Sequence, residues 1–421
     1  MRSKKKNAKN IISVMFIYWI SIIIWQTIRP VANRSLIDTV MKIVLFLPVL
    51  VYGWKHNEMS KNTDTFPLFV IFLITQLLTF ILDSGELKFS SFITMVFMLM
   101  EVVIFLIFLF RETCKEIAIE KFCFGLIVVA IIMSLYNIVF DFSKFSYVFS
   151  GGAGSYGHEC TSFLYSNHEF GLYLSVSILS LFWLFFKKKI KGFKFFLIGV
   201  LLSANLLTTY SRTAIIGLLG ALAILLFFYN KKTFAAFLAV FAVGLLIIAN
   251  VDSLKTMFFD NILKGSLESG ESLDEQRGGI YIEAWTAFKN GTFIRVLLGY
   301  GYAGAGKYAG HNAYLVVLLT GGVLMMAFFV LMLFFGIKRA FFILKRDRQL
   351  GALLLGYIVF ALLYMIPQTP ILFYSTMDSF FITMTAVLLP LYISNGMKKG
   401  DFYENTSNQL CVSKRQYGEN C

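Results

Sequence analysis

Charge is scarce in this sequence. Asp, Glu, Lys and Arg together make up 15% of it, against a hydrophobic share of 58%; a soluble globular chain carries about 25% charge and about 45–50% apolar residues. The shortage excludes an ordinary soluble enzyme and an acidic or disordered tail protein alike. Cysteine is also scarce. The five present (Cys114, Cys123, Cys160, Cys411, Cys421) show neither a CxxC nor a metal-ligand spacing, and an odd, scattered set excludes a disulfide framework. No signal-peptide cleavage site follows the basic N-terminus, and the first apolar run is long enough to span a bilayer. There is no internal repeat. Histidine occurs only four times, so the position of each one bears on function.

What the sequence has in abundance is long apolar runs. A membrane-crossing helix needs about 20 apolar residues. Twelve such spans are expected, at about 11–28, 35–54, 66–82, 91–110, 122–140, 168–186, 193–209, 213–229, 233–250, 313–335, 350–366 and 378–394. The fold class is thus an all-α integral membrane protein forming one polytopic domain over 1–421, its core built by helix packing in lipid. With the N-terminus in the cytoplasm, the inside segments hold 26 of the 38 Lys and Arg residues, which satisfies the positive-inside rule. Both termini are then cytoplasmic, with a tail from 395 to 421. The net charge of +14 is assigned to this orientation, and no nucleic-acid partner is expected. Lys42 and Glu101 fall within spans, too isolated to define an ion relay.

One connection is out of proportion. The outside segment 251–311 is longer than an idle loop needs. Within it, "RGGIYIEAWTAFKNG" places Ile280, Tyr281, Ala284, Trp285 and Phe288 on one helical face, with Asn290-Gly291 as a stop. This large extracytoplasmic loop should therefore fold, with an amphipathic helix on the outer membrane surface.

Several motifs invite a chemical interpretation that their context refuses. "GYGYAG" (299–304) matches GxGxxG, and "GYAGAGK" (301–307) matches most of a P-loop. Yet Tyr308 stands where a P-loop needs Ser or Thr, and no βαβ unit surrounds it. His158, Glu159, Cys160, His168 and Glu169 straddle a loop and a span start without the defined geometry a metal site wants. No metal and no cofactor are expected.

Three outside residues resist the ordinary explanation when taken together. Arg212, in "TTYSRTAIIGLLG", sits in a short turn on the outer face, against the orientation rule; an arginine at a span centre costs about 2.5–3.5 kcal/mol on insertion scales, less near the interface. Arg277 stands just before the amphipathic helix, in "DEQRGGIY". His311 precedes a helix start, with Asn312 as its cap. Arginines bind diphosphates through forked, charge-assisted hydrogen bonds, and a neutral histidine can take a proton from an attacking hydroxyl near neutral pH. Such a set suits group transfer from a lipid-linked diphosphate, whose growing negative charge the arginines would stabilise.

These segments resemble the O-antigen ligase and O-antigen polymerase superfamily. "TYSRTAIIGLLG" is similar to that family's arginine-bearing turn. "RGGIYIEAW…LLGYGYAGAG…HNAYLVVLLTGG" is similar to its long outer loop and following helix, and "NHEFGLYLSV" (167–176) to a further segment. The resemblance implies an all-helical glycosyltransferase membrane fold in a bacterial cytoplasmic membrane, acting without metal or nucleotide on saccharides carried by undecaprenyl diphosphate. It implies that Arg212 and Arg277 hold the diphosphate and that His311 activates the acceptor hydroxyl. Tyr210 and Asn312, beside them, are expected to contact substrate. A polymerase of repeat units for capsule, exopolysaccharide or O-antigen is the preferred expectation, with a flippase and a chain-length regulator as companions. A ligase of finished glycans is the near alternative, and a polysaccharide flippase the alternative of another class.

Overall fold

A computed structural model describes residues 74–81, 115–149, 159–251, 273–301, 311–368 and 377–398, together with Ala305 and apart from positions 76, 163 and 165. The first four expected spans fall outside these residues, except for a short helical stretch within 74–81. There Thr79 Oγ1 donates to the Thr75 carbonyl at 2.8 Å. The described residues are mostly helical and contain no strand.

The elements are α1 (Lys115–Phe140), α2 (Phe142–Phe149), α3 (Asn167–Phe186), α4 (Gly192–Thr208), α5 (Arg212–Tyr229), α6 (Lys231–Asn250), α7 (Leu273–Lys289), α8 (Phe293–Leu298), α9 (Ala313–Leu344) and α10 (Arg348–Tyr364). The final helix, α11, runs from Met377 to Lys398 through a π-helical stretch, Thr383–Leu388. Among the described residues five helices, Ile119–Phe140, α3, α5, α6 and α9, are long and apolar enough to cross a membrane, and α4 and α10 are apolar but shorter. These helices start and end within a few residues of the expected spans, α9 excepted. The tail expected from 395 is helical as far as Lys398 and otherwise lies outside the described residues.

The bundle is organised around α3 and α10, which are buried over nearly their whole length. Small residues let α5 and α10 approach closely, as membrane helices require where lipid supplies no hydrophobic drive between them. A methyl group at Gly217 would lie 3.0 Å from the Phe360 ring, and one at Gly356 would lie 3.3 Å from the Ala221 carbonyl. Polar side chains inside the bundle pair with one another: Ser180 Oγ and Tyr357 OH at 2.7 Å, and Asn137 Nδ2 donating to Asn205 Oδ1 at 3.1 Å. Apolar side chains also point outward. α6 buries no residue, and Val240 is 72% exposed. Lipid, not water, is the solvent for which such a surface is suited.

Hydrogen bonds at both ends of the bundle establish its up-down order. At one end Lys187 pairs with Asp347 at 2.9 Å, Lys189 pairs with Glu120 at 3.0 Å, and the Arg348 guanidinium donates to the Phe228 carbonyl. This basic end also holds Lys188, Lys191, Lys231 and Lys232. At the opposite end Asn167 Nδ2 donates to the Thr209 carbonyl (2.9 Å), Tyr364 OH to the His168 carbonyl (3.1 Å), and the Ala313 N–H to the Gln368 carbonyl (2.8 Å).

α9 corrects the expectation of a single span at 313–335. Gly322 has φ 65° and ψ −163°, which breaks the helix. The ring of Tyr314 lies 5.9 Å from that of Phe329, whereas fifteen residues of straight helix would separate them by about 22 Å. The termini agree. Ala313 bonds to Met365 at one end of α10, and Leu344 packs on Gly351 near the other. Those α10 positions are only about 21 Å apart, while a straight α9 would need about 46 Å. The arm Ala313–Gly321 therefore folds back beside Val323–Leu344. Only the second arm crosses the bundle, and it alone supplies the roughly 20 residues a span requires. Sequence periodicity could not reveal this, because both arms are uniformly apolar and a glycine is also tolerated in a straight membrane helix.

Candidate functional site

The α4–α5 turn, "TTYSR", is tight. Thr209 Oγ1 donates to the Leu206 carbonyl at 2.7 Å and accepts from Ser211 N–H at 3.1 Å. The Arg212 N–H reaches the Tyr210 carbonyl at 3.0 Å. To make this turn Tyr210 adopts φ +51°, in the left-handed region that a bulky residue seldom occupies. Arg212 becomes the first residue of α5, half-buried. The Tyr210 hydroxyl is enclosed and has no hydrogen-bond partner among the described residues. Burial, aided by the fields of Tyr147, Cys160 and Glu159, pushes its pKa up to about 12.

The start of α3 clamps this turn. Ser166 caps the helix by accepting from the His168 N–H (3.1 Å), and Asn167 holds the Thr209 carbonyl. The His168 Nδ1 meets Ser211 Oγ at 3.2 Å. Gly171 is needed for the close approach: a methyl group there would sit 2.9 Å from the Cβ atoms of both Ser211 and Ala214. Ser175 Oγ bonds both the Gly171 and the Ala214 carbonyls, at 2.8 and 3.2 Å. Sequence reasoning weighs His168 and its neighbours only as metal ligands, and misses this clamp. The available signal was "NHEFGLYLS", a row of small and polar residues on one helix, which an apolar lipid-facing helix has no reason to carry.

His311 and Asn312 occupy the start of the folded-back arm of α9. Asn312 is the cap expected, its side chain accepting from the Leu315 N–H at 3.0 Å. His311 is exposed and has φ +39°. Its carbonyl accepts from Tyr281 OH at 2.9 Å, which ties the site to α7. Among the described residues four non-glycine positions have positive φ, and Tyr210 and His311 are two of them. Backbone strain of this kind, about 1–3 kcal/mol per residue, collects at functional sites where the surrounding structure enforces it.

The helix expected around Trp285 is α7, but its apolar residues do not gather on one face, and Ile282 is exposed. Ala284 is buried on it, and Ile280, Tyr281 and Phe288 are partly so, whereas Trp285, expected on the same face, is exposed. Arg277 requires a correction: it lies inside α7, not before it. The helix runs on through Gly278-Gly279. Arg277 is one turn before Tyr281, the residue that holds His311.

The site thus has two halves. Tyr210, Arg212 and His168 form one; His311, Asn312 and Tyr281 form the other, with Arg277 a turn away. Both are fastened to the same end of α10, the first through Tyr364 and the His168 carbonyl, the second through the Ala313 N–H and the carbonyls of Met365 and Gln368. Among the described residues no group of three or more His, Cys, Asp or Glu side chains is placed to hold a metal ion; His158 lies outside them. What the fold and site define is a multi-helix membrane-type bundle with a polar, strained, arginine- and histidine-bearing surface at the end opposite its basic one. Neither a protein-family model nor a curated protein matches the chain.

Proposed function

We propose that this protein is a membrane glycosyltransferase of the O-antigen polymerase and ligase type, and specifically a polymerase that joins undecaprenyl-diphosphate-linked repeat units into a surface polysaccharide. The observation that carries the proposal is the attachment of two strained turns, one bearing Arg212 and one bearing His311, to the same end of α10, opposite the lysine-rich end. In this reading the lysine-rich end faces the cytoplasm, as the positive-inside rule favours, and the site faces outward from the cytoplasmic membrane. Nucleotide sugars are scarce there, and a lipid diphosphate is the available activated donor.

In this mechanism Arg212 and Arg277 bind the diphosphate by forked hydrogen bonds and stabilise the charge it gains on leaving. The imidazole of His311 takes the proton from the acceptor hydroxyl as that oxygen attacks the anomeric carbon and the bond to the diphosphate breaks. Tyr210 and Asn312 border the sugar. His168, through Ser211, holds the Arg212 turn in place.

The deciding experiment uses the purified full chain in liposomes with lipid-linked repeat units supplied at the outer face. Elongation to longer glycans is expected without added metal or nucleotide. Movement of the repeat unit across the bilayer without elongation would identify a transporter instead, and transfer only to a different acceptor would identify a ligase.

A further inference from the structure

The short helix α8 raises a separate question, because its surface does not suit an aqueous loop. Phe293 is 80% exposed, Ile294 58% and Leu297 39%, so half of its six residues are large, apolar and uncovered. The element is not loosely attached. Gly299 and Gly322 bring the end of α8 against the break in α9 backbone to backbone: a side chain at Gly322 would collide with the Leu297 carbonyl, and one at Gly299 with the Thr320 carbonyl. The Tyr300 N–H donates to the Leu319 carbonyl at 2.7 Å. The Tyr300 hydroxyl reaches back to the Ala287 carbonyl of α7 at 2.8 Å. Tyr300 therefore pins α7 and α8 together onto one level of α9.

That level can be located. The first cations on the crossing arm of α9 are Lys338 and Arg339, and from them to Gly322 the helix rises only about 24 Å. Measured from Lys345 instead, the rise is about 34 Å. The hydrocarbon core of a bilayer is about 30 Å thick, so its far boundary falls within a few ångströms of the junction between α8 and Gly322. Any tilt of the arm lowers the junction further. The neighbouring side chains suit the same depth. Lys289 lies over the Trp285 ring at 5.5 Å and Arg295 over the Tyr300 ring at 5.6 Å. Aromatic rings and long cations together are the usual anchors at the boundary between acyl chains and lipid phosphates.

We infer that α8 is an interfacial membrane anchor, with Phe293, Ile294 and Leu297 inserted among acyl chains and Lys289 and Arg295 at phosphate level. Its partner is the lipid surface. A consequence is that α7 and α8 are held down on the membrane, with α7 presenting Tyr281 to His311 from that platform. The anchor holds whatever reaction the site performs.

The test is a depth measurement on the full chain reconstituted in vesicles of phosphatidylethanolamine and phosphatidylglycerol. Cys114, Cys411 and Cys421 are replaced by Ser and the buried Cys123 and Cys160 are left. Nitroxide labels are then attached to F293C or I294C. Labels at V240C, on the lipid-facing α6, and at K188C, at the basic end, serve as references for lipid and water. Collision with oxygen relative to a water-soluble nickel chelate should be several-fold higher at positions 293 and 294 than at 188, and close to that at 240. A ratio matching position 188 would overturn the inference by placing α8 in water. Protection from both reagents would overturn it as well, by showing a protein partner over these residues. Neither result depends on glycosyl transfer, so this test fails or succeeds separately from the proposed activity.

Discussion

The two ends of the bundle are built from the same chain reversals to different purposes. At the basic end α3 and α4, α5 and α6, and α9 and α10 are joined by brief connections whose polar contacts are mostly charged: Lys187 with Asp347, Lys189 with Glu120, Arg348 with a carbonyl. The ring of Phe186 stacks on Tyr229 at 3.8 Å beneath them. At the opposite end the contacts are neutral and directional. Asparagine, serine, threonine and tyrosine hold particular carbonyls, and Tyr210 and His311 have positive φ, as Lys188 also has in the α3–α4 turn of the basic end. Charge at an interface orients a bundle and tolerates imprecision, since a long lysine can find its partner or the lipid phosphates from many rotamers. A strained turn has no such freedom, and it survives only where several fixed hydrogen bonds enforce it. The ends differ in the contacts they use: long charged side chains at one, short neutral hydrogen-bonding side chains at the other.

The contrast can be broken most sharply by chemistry. His311→Gln keeps hydrogen-bonding capacity but cannot act as a base near neutral pH, and the polymerisation rate of purified protein should fall by about 10²–10⁴-fold. Arg212→Lys keeps the charge but loses the forked geometry and should also fall sharply, with expression unchanged. Near-normal rates in both would reduce the strained end to a structural cap.

Gly322→Val should have the next largest effect. The left-handed conformation and the collision with Leu297 together call for a loss of several kcal/mol, seen as a large drop in thermal stability in detergent and as detachment of the α7–α8 layer in proteolysis. A variant with unchanged melting would contradict the folded-back geometry of α9. Tyr364→Phe removes one hydrogen bond, to the His168 carbonyl, worth about 0.5–1.5 kcal/mol. It sharpens the comparison because α10 links the two halves of the site. Activity should drop more than stability does, and a stability loss alone would mean the bond does not serve the site. Lys187→Gln, at the basic end, should cost the least. The pair with Asp347 is about one-fifth exposed on each side, and partly solvated ion pairs contribute about 0–1 kcal/mol. Its melting shift should be small and its polymerisation rate unaltered. A rate loss as large as that of His311→Gln would erase the distinction between the ends.

Much of the fold was legible because lipid imposes a simple code. Helix boundaries for α3 to α6 and α10 follow from apolar length and flanking lysines, since each span must satisfy its own backbone and its ends must reach water. The cap at Asn312 and a helix around Trp285 could be read from local residue chemistry alone. The position of Arg277 escapes the sequence because a Gly-Gly pair reads as a boundary, whereas α7 runs through it from Leu273 to Lys289. The clamp of Asn167 and His168 on the arginine turn left only the row of small and polar residues in "NHEFGLYLS" as a signal, because its partners lie about forty residues away in sequence.

The sequence by itself therefore determined the class of solvent, the approximate bounds of α3 to α6 and α10 and the residue types available for chemistry; all of these depend on composition and short-range periodicity. Only the tertiary structure decided that α9 doubles back at Gly322, that α8 fits against that break, and that the turns bearing Arg212 and His311 are both fastened to α10. Those outcomes depend on close backbone approach between distant segments, where a missing Cβ or a single carbonyl left open by a kink determines what can pack. No local pattern records which segment will arrive to use it.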